Sequence, residues 1–213
     1  MNKKERIRLI IGVIINIAIF VLEVYCLAYF IRHLINGDLD NRFRYYTNVS
    51  NMTVGLISLI NAIFLIVSLI KGEMVFPQIL SIIKFMGLCM TTLTFFTVLL
   101  LIAPLTSYKE MYENVKFITH LVVPVIAMIS YLFLEERTHF AWKHSFLGMM
   151  PFVVYSLVYV SNVIYIKAWP DLYKINAHGM WLLMVLAFYV FNFGITQGVY
   201  FLKKIRSNPL PLT

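Results

Sequence analysis

The chain has 213 residues, of which 61% are apolar and 13% charged, and its formal net charge is +8. Its apolar residues form unbroken runs of about twenty, the length that an α-helix needs to cross a bilayer, and the alternating pattern of a membrane β-barrel is missing. The sequence therefore predicts an all-α polytopic membrane protein. Because the basic residues flank the apolar runs, anionic lipid headgroups explain the charge better than nucleic acid does, and we expect no nucleic-acid partner.

Six membrane spans are predicted along the chain, and the linkers between them are too short to mark a second domain. We expect a single transmembrane domain over residues 1–213, folded as a bundle of six helices. The first apolar run lacks a small-residue cleavage site, so we expect the mature protein to keep it. The predicted spans are residues 9–31, 45–70, 77–102, 116–134, 145–166 and 178–202.

The distribution of basic residues predicts the orientation of these spans. With six spans both termini lie on one side of the membrane, and that side carries ten Lys and Arg residues near the span ends, against seven on the other side. The positive-inside rule therefore predicts cytoplasmic termini. The usage of Ile, Lys and Asn and the lack of eukaryotic targeting signals favour a bacterial inner membrane.

Hydroxyl and amide side chains are concentrated at the start of the second predicted span. Thr47, Ser50 and Asn51 stand at i, i+3 and i+4, so a helix places them on one face, which continues to Ser58 and Asn61. Polar groups that face lipid without a partner cost several kcal/mol, so this face must look towards protein or trapped water. We interpret it as one wall of an intramembrane site.

His120 lies near the start of the fourth predicted span, which enters from the same side of the membrane as the second. At about 1.5 Å per residue, Thr47 and His120 each lie roughly 5 Å below that interface. We therefore expect the two residues at one depth, with His120 on the wall opposite Thr47.

Aromatic and amide residues near the end of the fifth span reach the same layer. Tyr155, Tyr159 and Asn162 stand at i, i+4 and i+7, and we expect them to form the floor and sides of a substrate pocket. Trp169 and Tyr173 follow in the next linker. Because aromatics with a polar tip favour the interface, we expect these two to close the mouth of the pocket.

Two charged residues lie well inside predicted spans, Glu23 in the first and Lys84 in the third. A lone charge at the bilayer centre costs at least about 3 kcal/mol, so such residues pair or line a cavity. Glu23 shares a helical face with Asn16, which predicts that it faces the interior. Either Glu23 and Lys84 neutralise each other, or Lys84 extends to the interface, or they form the ion or proton relay of a transporter.

Thr47 and His120 together could perform nucleophilic catalysis. A threonine hydroxyl attacks an ester carbonyl only when a base removes its proton, and a neutral imidazole is the usual base. The oxyanion that develops needs nearby donors, for which Asn48, Ser50 and Asn51 are oxyanion or orienting candidates. No two histidines stand at i, i+3 or i+4, so we expect no metal and no cofactor.

Three short segments stand out against the hydropathy pattern: FRYYTNVSN at 43–51, HLVVP at 120–124 and WPDLY at 169–173. Together with the hydropathy pattern over most of the chain, they resemble the landmarks of the androgen-induced-gene family of intramembrane threonine hydrolases and its bacterial multi-pass relatives. The known mammalian members cleave fatty acid esters of hydroxy fatty acids. The resemblance implies the same chemistry here, with Thr47 as the catalytic threonine and His120 as the catalytic histidine.

Two functions remain open at this point. The first is an intramembrane hydrolase that cleaves a lipid or fatty acyl ester with Thr47 and His120. The second is a non-catalytic lipid-binding or transport protein that uses the same polar cavity. In both cases membrane lipids surround the protein, but only the enzyme needs the hydroxyl of Thr47.

Overall fold

A computed structural model describes residues 1–37, 44–134, 141–176 and 178–207, and this part of the chain is helical, without strands. Six helices are long and apolar enough to cross a membrane, which confirms the all-α polytopic fold. We number them in chain order: α1 Lys3–Ile35, α2 Tyr46–Lys71, α3 Gln78–Leu105, α4 Asn114–Leu134, α5 Trp142–Tyr165 and α6 Trp181–Ile205.

The first helix is longer than its apolar run because polar residues cap it. Asn2 and Glu5 form a capping box, in which the Glu5 backbone N–H donates to Asn2 Oδ1 at 2.9 Å and the Asn2 backbone N–H donates to the Glu5 carboxylate at 2.8 Å. Helix α1 therefore begins at Lys3 rather than at residue 9. Apolar runs predict where a helix crosses the membrane but not where its capped ends lie.

Two of the membrane helices widen into a π-helical turn just before a proline. In α3 the turn Val98–Ile102 precedes Pro104, and in α4 the turn Ile118–Val122 precedes Pro124. Proline has no backbone N–H, so Pro124 cannot bond to the carbonyl of His120 four residues earlier. Such turns are frequent at functional sites, and this one carries His120.

Helix α3 is the centre of the bundle. Of its most apolar segment 56% is buried inside the protein, against 22% for α5 and 17% for α6. The main apolar core joins α1, α2, α3 and α4 with the second half of α6. Helices α5 and α6 therefore present most of their apolar surface to lipid, while α3 contacts protein on most sides.

A glycine allows α5 to approach both α3 and α6. A Cβ atom at Gly148 would lie 2.8 Å from Cys89 Sγ, 2.8 Å from the Phe85 ring and 3.0 Å from the Thr196 methyl carbon. Carbon atoms do not approach their neighbours this closely without displacing them. The three helices meet at this point only because Gly148 has no side chain.

The substitution Gly148→Ala is expected to destabilise the protein by about 1–3 kcal/mol, because the added methyl group overpacks this contact. Gly194→Ala is the matched control, since a Cβ atom there meets nothing within 4 Å. We expect Gly194→Ala to leave thermal unfolding in detergent unchanged or to raise its midpoint. Equal midpoints for the two variants would contradict this description of the α3–α5–α6 contact.

Candidate functional site

Thr47 and His120 line one cavity of about 450 Å³ at the membrane face where α2 and α4 begin. Asn48 also lines it, as do Glu110 and Lys116 near its outer edge. The cavity walls therefore combine hydroxyl, amide, imidazole and charged groups. The two residues that we predicted as a catalytic pair line a shared cavity, although they belong to different helices and lie far apart in the sequence.

One side-chain amide holds the two walls together. Asn51 Nδ2 donates to the carbonyl of Thr47 at 2.8 Å and to the carbonyl of Thr119 at 3.0 Å. Asn51 is fully buried. It therefore ties the first turn of α2 to the residue directly before His120.

These bonds also decide what Asn51 can do. An amide nitrogen carries two hydrogens, and both are donated to backbone carbonyls, so Asn51 orients the site and has no hydrogen left for an oxyanion. Ser50 has a similar role, because its hydroxyl donates to the Thr47 carbonyl and contacts Thr94 Oγ1 of α3 at 3.0 Å. Of the three predicted donors, Asn48 is the one that lines the cavity.

The tautomer of His120 follows from its partner. Its Nδ1 lies 2.8 Å from the carbonyl oxygen of Met111, which can only accept, so Nδ1 carries the hydrogen. In the neutral ring Nε2 is then the basic atom. Met111 belongs to a short helix, Tyr108–Met111, that precedes α4 and is joined to it by an ion pair of 3.7 Å between Glu110 and Lys116. This loop therefore sets the orientation of the ring.

Thr47 also lines a second, narrow cavity of about 70 Å³. It extends between α3, α5 and α6, and most of its lining is aromatic or aliphatic, including Phe152 and Phe188. Tyr173 lines both cavities. Thr47 consequently stands between a polar space and an apolar crevice.

Tyrosines predicted for the pocket hold the beginning of α2. The first N–H groups of a helix lack intrahelical partners, and here the Tyr46 backbone N–H donates to the Tyr173 hydroxyl at 2.8 Å. Tyr155 donates its hydroxyl to the carbonyl of Arg44 at 2.7 Å. Burial raises the pKa of Tyr173. Both phenols therefore fix the turn that carries Thr47.

The linker after α5 is organised by a residue to which we assigned no role, Asp171. Its carboxylate accepts from the backbone N–H groups of Ile175 and Asn176, at 3.0 and 2.9 Å, and from the Tyr159 hydroxyl at 3.2 Å. Tyr159 also accepts from the Tyr173 backbone N–H at 3.1 Å. An aspartate in a turn commonly binds nearby N–H groups, so the WPDLY segment contained the signal for this role.

Two of the predicted pocket residues differ from expectation, because Asn162 and Trp169 line neither cavity. The Asn162 amide donates to the Val158 carbonyl in its own helix at 2.9 Å. Trp169 packs edge-on against Tyr159, and the Arg44 guanidinium lies 5.9 Å from its ring centre. Helical spacing predicted Asn162 for the pocket, but its side chain satisfies a carbonyl of its own helix instead.

The prediction that Glu23 faces the bundle interior is confirmed, since it is 5% exposed. The pair with Lys84, one of the alternatives that the sequence left open, is not formed: Glu23 Oε1 is buried without a hydrogen-bond partner, and Lys84 Nζ donates to Asn16 Oδ1 at 3.1 Å. Within the described residues no three His, Cys, Asp or Glu side chains converge on a point that could hold a metal ion.

Comparisons of the chain with protein-family models, with curated proteins and with solved structures gave no match.

The substitution Tyr173→Phe is expected to destabilise the protein by about 1–2 kcal/mol, because it leaves the buried Tyr46 N–H without an acceptor. The control is Tyr165→Phe, whose ring is 68% exposed at the end of α5. Thermal unfolding in detergent measures both variants. If Tyr173→Phe unfolds at the wild-type temperature, the phenol does not cap α2.

Proposed function

We propose that this protein is an intramembrane hydrolase that cleaves a lipid ester with Thr47 as nucleophile and His120 as general base. One observation carries the proposal: both side chains line one cavity, and the Met111 carbonyl holds the Nδ1 hydrogen of His120. This leaves Nε2 as the basic atom of the neutral ring. A nucleophile, a base and a group that orients the base are the parts that such catalysis needs.

In the proposed reaction Thr47 Oγ1 attacks the ester carbonyl while its proton passes to His120 Nε2. The tetrahedral oxyanion is stabilised by a donor at the first turn of α2, for which the side-chain amide of Asn48, which lines the cavity, is the candidate. The carbonyl then re-forms, and the alcohol leaves with the proton from His120. Water, activated by the same imidazole, releases the acyl group from Thr47 as a carboxylic acid.

The two cavities support an amphiphilic substrate. An acyl chain fits the apolar crevice between α3, α5 and α6, while the ester and the polar part of the molecule occupy the larger cavity. The carbonyl to be attacked would then lie at the junction, next to Thr47. This arrangement agrees with the resemblance to hydrolases of fatty acid esters of hydroxy fatty acids.

A non-catalytic lipid-binding or transport protein is the second candidate, because the described part of the chain contains no direct hydrogen bond between Thr47 and His120 and because the crevice suits a lipid in either case. The substitution Thr47→Val separates the two functions. It keeps the shape of the side chain and removes the hydroxyl. A lipid-binding protein retains function with altered affinity, whereas an enzyme loses turnover.

The variants Thr47→Ala and His120→Ala are each expected to reduce hydrolysis of a fluorogenic fatty acyl ester by about 10⁴-fold, and the double variant no further, since paired catalytic residues act as a unit. Thr53→Ala is the matched control, because Thr53 lies on the same helix and donates only to the Val49 carbonyl. It should keep wild-type turnover.

A fluorophosphonate probe should label Thr47, as located by mass spectrometry.

Acidification offers a further check on the same pair. Activity should fall as His120 takes up a proton, because an imidazolium cannot accept the threonine proton. Wild-type turnover in either alanine variant, or a probe adduct on another residue, would exclude the pair as the catalytic machinery.

We further propose that the protein lies in a bacterial inner membrane with cytoplasmic termini, so that the cavity opens on the outer side. An impermeant maleimide added to intact cells should label Asn36→Cys, in the linker after α1, and should label Glu73→Cys only after lysis. Both sites are exposed and lie at opposite ends of α2, while the native cysteines Cys26 and Cys89 are buried. Labelling of Glu73→Cys in intact cells, with Asn36→Cys labelled only after lysis, would show that the protein has the opposite orientation.

A further inference from the structure

A carboxyl group lies buried between α1 and α2, apart from the candidate catalytic cavity. Glu23 of α1 is 5% exposed, and it packs against Gly55 of α2. A Cβ atom at Gly55 would lie 2.8 Å from Glu23 Cβ and 3.1 Å from its Cγ. Glu23 can pack this closely against α2, in the groove between the two helices, only because Gly55 has no side chain.

Several polar atoms in this groove have no hydrogen-bond partner. They are Glu23 Oε1 and both polar atoms of the Asn61 amide, and Asn61 is completely inaccessible. A buried polar group without a partner costs about 1–3 kcal/mol, and native structures satisfy such groups with ordered water. Buried groups of this kind favour internal water.

The direction of the side chains brings the two groups towards each other. Glu23 opposes Gly55, and a Cβ atom at Gly12 would meet Leu65 at 3.2 Å, so α1 and α2 run antiparallel and Asn61 lies about six residues, roughly 9 Å, from Glu23 along the axis. Side chains on a helix lean towards its N-terminus. In antiparallel helices Glu23 and Asn61 therefore lean towards one level, which leaves a gap of the size that internal water fills.

We propose that Glu23 is a proton-binding site inside the membrane, which exchanges its proton through internal water held by Asn61. A protonated carboxyl is tolerated at this depth, whereas an ionised one is costly. The carboxyl gains and loses only a proton, so no other reactant is needed. The site is independent of the hydrolase proposed above, because neither Thr47 nor His120 takes part.

Titratable groups surround the site on the packed helices. Cys26 lies one turn further along α1, Lys84 of α3 bonds to Asn16 of α1, and Tyr131 of α4 is buried in the same core as Ile19 of α1. Helix α2 contributes Gly55, Ser58 and Asn61, none of which titrates. The Lys84 ammonium donates to Asn16 Oδ1, two helical turns before Glu23 on α1.

A hydrophobic carbodiimide tests the proposal in the intact protein. Dicyclohexylcarbodiimide partitions into the membrane and reacts only with a protonated carboxyl, whose proton passes to the reagent nitrogen while the carboxylate oxygen adds to its central carbon. We expect an adduct on Glu23, located by mass spectrometry. The rate of adduct formation at Glu23 should fall about tenfold for each pH unit above the midpoint of its titration, as for a single titrating group. Glu23→Gln should give no adduct at this position.

Two controls make the result decisive. Glu113, on the linker before α4, has a side chain that is 49% exposed, and it should react with a water-soluble carbodiimide but not with the hydrophobic one. Asn61→Leu removes the proposed water partner and should move the midpoint of Glu23 labelling. An unlabelled Glu23 in folded protein at every pH, a rate independent of pH, or a midpoint unchanged by Asn61→Leu would each overturn the proposal.

Discussion

The geometry of the candidate site depends on the two hydrogens of one amide nitrogen. Asn51 gives one to the carbonyl of Thr47 and the other to that of Thr119, and both bonds lie in the water-poor interior, where they are strong and costly to lose. Because Asn51 belongs to α2, its bond to the Thr119 carbonyl is the one that joins the two helices, and its bond to Thr47 fixes the orientation of the amide. This amide therefore couples the first turn of α2 to the π-helical turn of α4.

Polar side chains in this bundle fall into two groups, and the difference explains which of them matter for the site. Thr53 and Asn162 donate to the carbonyl four residues earlier, so each satisfies itself within its own helix. Asn51 and Tyr173 instead join separate elements. Hydrogen bonds between separate elements hold the helices in register, because the lipid bilayer provides no hydrophobic driving force for helix association.

The site is also defined by where the polar and apolar spaces meet. Thr47 lies at the junction because the short helix before α4 closes one side, while the linker after α5 brings Tyr173 to the other. Asp171 keeps that linker in shape by binding two of its N–H groups and the Tyr159 hydroxyl. Linkers at one membrane face thus position a hydroxyl that belongs to a regular helix.

The six spans follow from the sequence alone, because a helix in lipid needs about twenty apolar residues and such runs are visible without any tertiary information. The same reasoning predicted the inward face of Glu23, since a charge cannot face lipid cheaply. Only the tertiary structure decided the partners: Met111 for His120, Thr119 for Asn51, and Asn16 for Lys84. Spacing along a helix gives the face on which a side chain lies, but the partner on that face comes from another helix, whose rotation and register arise from packing across the bundle.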